Sequence, residues 1–496
     1  MNRTSARIAA VTAVTAAAAL VDAGAATGAE AKTATTPRAG TPSLDGVWQM
    51  DGYGLVFDIK GTTLASYETT ATSCLPEFTA TATTTVTGTV TGTGTATTTP
   101  GPRRDTTFAV GTTLFTLHPE QRARTISMTI QQSVGTRHLT RLATLPARCT
   151  QPTPTDPRTV FDVFWQTFQE NYPFFAAHDI DWQTTRERLR GQITASTTDA
   201  DLFHLLTEAF APLNDSHTIL TDGTTTVAPS RPGTIPPSRA YDTSIKAFIQ
   251  AHDLTTPLQE WGRGHIAYAD LPNGIGYLRL SSFAGYTSPD DSAGFASDQA
   301  ELIKALDAIF TPQRTQGPNA LRGLIIDNRV NGGGSDVLAL DVVARLTAKP
   351  YTAYWKKHRN NPTDPTAFSN PEPIRVTPSA KLIYRGPIAL LAGGSTVSAG
   401  ETFAQALMGR SPAPVRIGEN TQGSFSDTLN RVLPNGWEFE LPNEEYPPSR
   451  AGRSFDITGI PPQIRIPVFP PAELAAGKDT AFTTALELLR CSRLNP

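Results

Sequence analysis

From residue 274 onward the chain alternates short apolar runs with stretches whose apolar residues recur at helical spacing. Residues 275–280, 321–327, 388–391 and 415–417 read as strands, and 300–310 and 336–348 read as helices. Alternation of this kind predicts a layered α/β domain, closing near Pro470 and followed by a short terminal helix over 475–489. Within it, Gly393-Gly394-Ser395-Thr396-Val397-Ser398-Ala399-Gly400-Glu401 joins the apolar run 387–391 to a helix beginning at Glu401. That places the Ser398 hydroxyl on a strand-to-helix turn, with the positive end of the helix behind it and free N–H groups beside it. Such a setting suits a nucleophile and an oxyanion. Ser398-x-x-Glu401 fits a capping box equally well, which needs no catalysis.

At 496 residues the chain has room for two or three domains. A net charge of −3 speaks against a nucleic-acid partner. Arg3 and Arg7 precede an alanine-rich apolar run over 8–21, and Ala29-Glu30-Ala31 offers small residues for cleavage. Residues 1–31 therefore read as a signal peptide, which implies a secreted, periplasmic or cell-surface chain with no membrane span once mature. A Thr/Pro/Ala linker covers 32–43. Residues 44–150 show short alternating strands, at 54–59, 107–110, 113–117 and 126–130, and read as a small antiparallel barrel or sandwich. Inside this region 79–99 is a threonine- and glycine-rich tract. Cys74 and Cys149 lie in the same region and are a reasonable disulfide pair in an exported chain, with Cys491 left over. After a proline hinge at 151–157, helices are expected near 160–168, 181–190 and 199–209, forming a cap over 156–220 that carries His217. Residues 221–273 read as a loop-rich connector, 274–470 as the α/β core and 471–496 as a terminal helix and tail.

The loop 327–335 follows a buried strand and carries Gly332-Gly333-Gly334. It lacks the Gly-Lys-Ser/Thr of a phosphate loop and the spacing of a dinucleotide fingerprint. What remains is a cradle of neutral N–H groups suited to an oxyanion, or a tight turn that needs positive φ. A base for Ser398 must come from histidine, because no lysine falls between Lys381 and Lys478. Of eight histidines, His217 stands in a compact turn behind Asp215 and Ser216, which can orient it. No histidine pair has HExxH spacing, so a zinc hydrolase is not indicated.

Five segments then occur in a telling order: Asp215-Ser216-His217-Thr218, Asp327-x-Arg329-x-Asn331-x-Gly333-Gly334, Ser398-Ala399-Gly400-Glu401, Gly418-Glu419-Asn420-Thr421-x-Gly423 and Gly459-Ile460-Pro461-Pro462. In this order the chain resembles the tail-specific and tricorn-type serine peptidases over about 156–470. The resemblance implies a crotonase-like (ClpP-like) core and a nucleophile at Ser398. Tail-processing members use a lysine near the position of Ser424, so this chain is closer to the histidine-containing tricorn-type branch. Carried over residue by residue, that branch implies His217 as base, with Ser216 and Asp456 orienting it, although glutamate stands at the latter place in the tricorn pattern. The oxyanion hole falls on the N–H groups of Gly333 and Ala399. No segment matches the PDZ module of tail-processing relatives, because 218–273 is short and proline-rich.

The expectation is a secreted serine peptidase acting on peptides or proteins through a Ser-His-Ser-Asp tetrad, without cofactor or metal. The opening Leu44-Asp45-Gly46-Val47-Trp48 faintly resembles a lipocalin strand, so a silent binder of hydrophobic ligands is one alternative. A non-peptide esterase on the same core is another.

Overall fold

The computed structural model describes residues 44–83, 105–120, 124–289 and 292–491. The signal peptide, the linker and most of the threonine-rich tract expected from sequence lie outside them. Eight antiparallel strands, Gly46–Met50, Leu55–Lys60, Thr63–Thr69, Cys74–Thr83, Thr106–Val110, Thr113–Pro119, Thr125–Ile130 and Arg137–Leu142, form a closed barrel. Closure pairs the first strand with the last, Trp48 opposite Arg141. Alternate residues point inward, as period-two patterning requires, and Phe57, Phe108, Phe115, Leu117, Ile126 and Leu139 fill the interior. The Cys74–Cys149 bridge ties the fourth strand to the turn that leads out of the barrel.

Three helices follow. Pro157–Asn171 starts with Asp156 accepting from Thr159 N–H and proline in the first turn, Trp182–Arg190 is capped by Asp181, and Asp199–Phe210 by Thr198. Their apolar faces meet around Phe164, Phe168 and Phe210 and pack on Phe439. Phe439 belongs to a four-stranded antiparallel sheet ordered Thr226–Val227, Ile219–Thr221, Glu438–Pro442, Thr428–Val432.

The core is a seven-stranded sheet in the order Gln259–Trp261, Ile266–Leu271, Ile275–Leu280, Gly323–Asp327, Ile388–Ala392, Val415–Gly418, Ile464–Arg465. From Ile275–Leu280 onward neighbours run parallel. Gly323–Asp327 and Ile388–Ala392 are buried throughout because both faces are covered. Helices Gly294–Ile309, Asp336–Leu346 and Ala399–Met408 contribute Leu302, Leu306, Val342 and Phe403 to the core on one face. Arg239–His252 and Thr480–Cys491 contribute Ile249, Phe482 and Leu489 on the other.

One expectation is corrected here. The loop-rich connector 221–273 holds a hairpin, the helix Arg239–His252 and two strands of the central sheet. Only Ile245 and Ile249 of that helix are buried, so its sequence carries a thin apolar stripe that its proline-rich lead obscures. The terminal helix is likewise divided, into Pro471–Ala475 and Thr480–Cys491. Among the described residues no helix is long and apolar enough to cross a membrane.

Candidate active site

Two turns leave the carboxyl ends of adjacent parallel strands, which is where open α/β sheets gather their functional groups. Val330–Asn331 and Ser395–Thr396 pair in parallel just beyond those ends and hold the glycine loop beside the Ser398 turn. Ser398 itself sits at φ 57°, ψ −126°, a conformation that L-residues rarely adopt. Its hydroxyl makes no capping hydrogen bond to the helix it precedes, so the capping reading of Ser398-x-x-Glu401 fails for this side chain. Glu401 turns elsewhere: its carboxylate accepts the N–H groups of Gly423 at 2.7 Å and Ser424 at 2.8 Å. Burial raises the Glu401 carboxyl to about 8, against those hydrogen bonds, which favour the anion.

Gly333 lies directly over the serine. A Cβ on Gly333 would fall 2.5 Å from Ser398 Cβ and 3.0 Å from its Oγ, and the residue's φ is +87°. Only glycine fits there. Its N–H, however, donates to Asn331 Oδ1 at 2.9 Å, so the oxyanion role expected of Gly333 is not available while that bond stands. A buried N–H takes an internal acceptor when no ligand occupies it. Ala399 N–H, the other expected donor, gives no hydrogen bond to a protein acceptor among the described residues.

His217 lies between the short helical turn Ala211–Leu213 and the strand Ile219–Thr221. Asn214 takes φ 50° to bring the chain round, and Asp215 Oδ1 accepts His217 N–H at 3.0 Å. Burial lowers the His217 pKa from 6.5, with Asp215 and Asp427 opposing, so the free base dominates at neutral pH. Its Nδ1 and the Ser216 Oγ are both buried without a hydrogen-bond partner in this state. Among the described residues no hydrogen bond joins the imidazole to Ser398 Oγ.

Shared partners nonetheless draw the two turns together. Ser398 N–H donates to Ser424 O at 2.9 Å, and Ser424 Oγ donates to Asp215 Oδ1 at 3.1 Å. Asp456 sits in the same buried region but bonds neither Ser216 nor His217. Its Oδ1 accepts Phe425 N–H at 3.2 Å and its Oδ2 accepts the Ser454 hydroxyl. Burial holds its carboxyl well above the ordinary range, and the charges of Asp215 and Glu401 push the same way.

Sequence reasoning gave Asp215 a part in orienting His217 but missed its tie to Ser424, missed Glu401 as an organiser of the turn at Gly423 and Ser424, and gave the segment 228–238 no role. Arg231 of that segment donates to the carbonyls of Gln422 at 3.0 Å and Thr421 at 2.6 Å. The Ser395 hydroxyl donates to Ile235 O, and Pro237 packs near Gly332. This part of the expected loop-rich connector therefore lies against both glycine turns. No group of histidine, cysteine or carboxylate residues suited to a metal ion is present among the described residues.

Residues 274–466 match the model of peptidase family S41, and residues 153–211 match that of the tricorn protease C1 domain. A candidate peptidase from Parabacteroides merdae is similar in structure with a TM-score of 0.53 at 23% identity, covering 68% of this chain and 97% of its own. Mature CPAF complexed with lactacystin matches with a TM-score of 0.48 at 13% identity, over 67% of this chain and 97% of that one. The tricorn protease matches with a TM-score of 0.42 at 14% identity, over 88% of this chain and 46% of its own. No curated protein sequence matches.

Proposed function

We propose that the chain is a serine-type peptidase, supported by the match of residues 274–466 to the model of peptidase family S41, with Ser398 as its nucleophile and His217 as its base. The observation that carries the reading is the state of Ser398: a strained turn residue whose hydroxyl forgoes the cap, with an unpaired N–H at Ala399 beside it. In the reaction, His217 takes the hydroxyl proton as Ser398 Oγ bonds to the peptide carbonyl carbon. The carbonyl oxygen becomes an oxyanion held by Ala399 N–H, joined by Gly333 N–H once Asn331 releases it. Return of the proton to the leaving nitrogen breaks the C–N bond and leaves an acyl-enzyme. Water then attacks the ester with the same base, and Ser398 is regenerated. Catalytic contacts that are long in a free enzyme tighten when substrate arrives, which is the approach His217 has to make.

The resemblance implies Ser216 as a further member of the tetrad and puts Asp456 at the place of its acid, on a core of crotonase-like order with the three helices as its cap. Export is supported by the basic and apolar character of residues 1–31 and by the Cys74–Cys149 bridge, which persists in oxidising compartments. The closed barrel, packed with aromatic rings, gives the alternative of a hydrophobic-ligand binder no support.

The test is a fluorophosphonate probe followed by a peptide and ester library. Wild-type protein should be labelled at one residue and should cleave peptides, whereas Ser398→Ala should do neither. Labelling of Ser398→Ala at the wild-type rate would remove Ser398 from the role. Turnover of esters with no peptide cleaved would favour the esterase.

A further inference from the structure

An imidazole that accepts the serine proton becomes a cation, and a nearby anion lowers the energy of that state. Asp456, which the resemblance puts in this role, is engaged by Phe425 N–H and the Ser454 hydroxyl, and burial pushes its carboxyl toward the neutral form. Asp215 is placed differently. Its buried carboxylate gathers three donors: His217 N–H at 3.0 Å and Ser424 Oγ at 3.1 Å on Oδ1, and Tyr172 OH at 3.0 Å on Oδ2. Ser424 in turn holds the N–H of Ser398 through its carbonyl. One carboxylate therefore ties the turn of the base to the turn of the nucleophile. The charged groups that face His217 are Asp215 on its own turn and Asp427 from the segment before Thr428–Val432. Those that face Asp215 are Tyr172 and His178 from the helical layer and Asp456 from the far turn.

We propose that Asp215, rather than Asp456, is the positioning carboxylate of this site: it fixes the His217 turn against Ser424 and favours the imidazolium formed during acylation. The inference rests on the reading of Ser398 and His217 as the catalytic couple. Asp215 acts through His217 and touches no substrate.

The experiment measures the rate of fluorophosphonate labelling against pH for wild type, Asp215→Asn, Asp456→Asn and His217→Ala, with a thermal melt for each. Because labelling needs the free base and burial lowers its pKa, the acid limb of wild type should lie below pH 6.5. In Asp215→Asn the imidazole loses its anion and releases its proton more readily. The limb should move to lower pH while the plateau rate falls ~100-fold, the scale of general-base catalysis. A loss of packing alone would lower the plateau without moving the limb. Asp456→Asn should leave the limb where it is. A limb that moves in Asp456→Asn overturns the proposal, as does an Asp215→Asn limb that stays in place. If Asp215→Asn does not fold, Asp456→Asn still decides by the same criterion. Undiminished labelling of His217→Ala is a separate failure: it defeats the couple itself rather than the choice of carboxylate.

Discussion

Ser398, the proposed nucleophile, holds a backbone conformation that its own side chain does not offset with a cap. At φ 57°, ψ −126° an L-side chain is strained by ~1–3 kcal/mol, and no cap bond compensates. Ser398→Gly should relieve that strain, against ~0.4–1 kcal/mol lost to a freer unfolded chain. The expected outcome is that Ser398→Gly is more stable than Ser398→Ala by ~1 kcal/mol in urea unfolding, with both inactive. Equal midpoints would mean that the turn is not strained. The identity of this serine was legible in the sequence because a buried run, a glycine-rich turn and a helix start follow one another. His217 was legible through its place in Asp215-Ser216-His217. The tie from Asp215 to Ser424 was not, because it spans 209 positions and no local pattern encodes it. Neither could spacing reveal that Gly333 N–H would find Asn331, two residues back, before any substrate.

At the level of elements, the helix Ala399–Met408 is held to the turn 421–424 by one buried carboxyl. Glu401 accepts two backbone N–H groups there, yet burial raises its carboxyl from 4.5 to about 8. Between those values the unfolded chain has released a proton that the folded chain keeps. The Glu401 contribution is therefore fully present below pH 4.5 and is lost as pH rises through about 8. Glu401→Gln carries no titratable proton, so its unfolding free energy should decline less steeply than wild type between pH 5 and 8. It should also begin ~1–3 kcal/mol lower, because an amide cannot satisfy both N–H groups on two oxygens. Parallel pH curves in urea titrations would count against the Glu401 assignment. Elements of this core were readable where burial is complete, as in Gly323–Asp327 and Ile388–Ala392. They were not where charges interrupt the apolar pattern. Tyr351–His358 is a strand of eight residues that contains Lys356, Lys357 and His358, and Lys356 is buried. Local sequence gives no reason to bury a lysine; the reason lies in carboxylates elsewhere in the chain.

Those carboxylates explain why barrel and core hold together. Arg137, from the last barrel strand, lies 3.1 Å from Asp427 and 3.8 Å from Glu444, and Lys356 of the core lies 3.0 Å and 3.1 Å from the same two. Two cations and two anions balance, and the hydroxyls of Tyr53 and Tyr446 also donate to Oε1 and Oε2 of Glu444, at 2.6 Å and 2.7 Å. The cluster reaches the active site on two sides. The Ser335 hydroxyl, at the foot of the glycine loop, donates to Gln132 O of the barrel, and Asp427 is one of the charges felt by His217. Arg137→Met would keep much of the side chain's volume but leave a net negative charge among buried groups. Breaking one partner out of such a cluster costs ~3–5 kcal/mol. We expect Arg137→Met to lose that much in unfolding free energy. Its labelling by fluorophosphonate should also weaken below the melting transition, because the barrel loop no longer supports the glycine turn. Were the barrel merely appended, Arg137→Met would loosen the barrel alone and leave labelling of Ser398 unchanged. Proteolysis followed by mass measurement distinguishes the two: cuts confined to residues 44–150 with full labelling would show an independent module, whereas joint loss of both would show one cooperative unit.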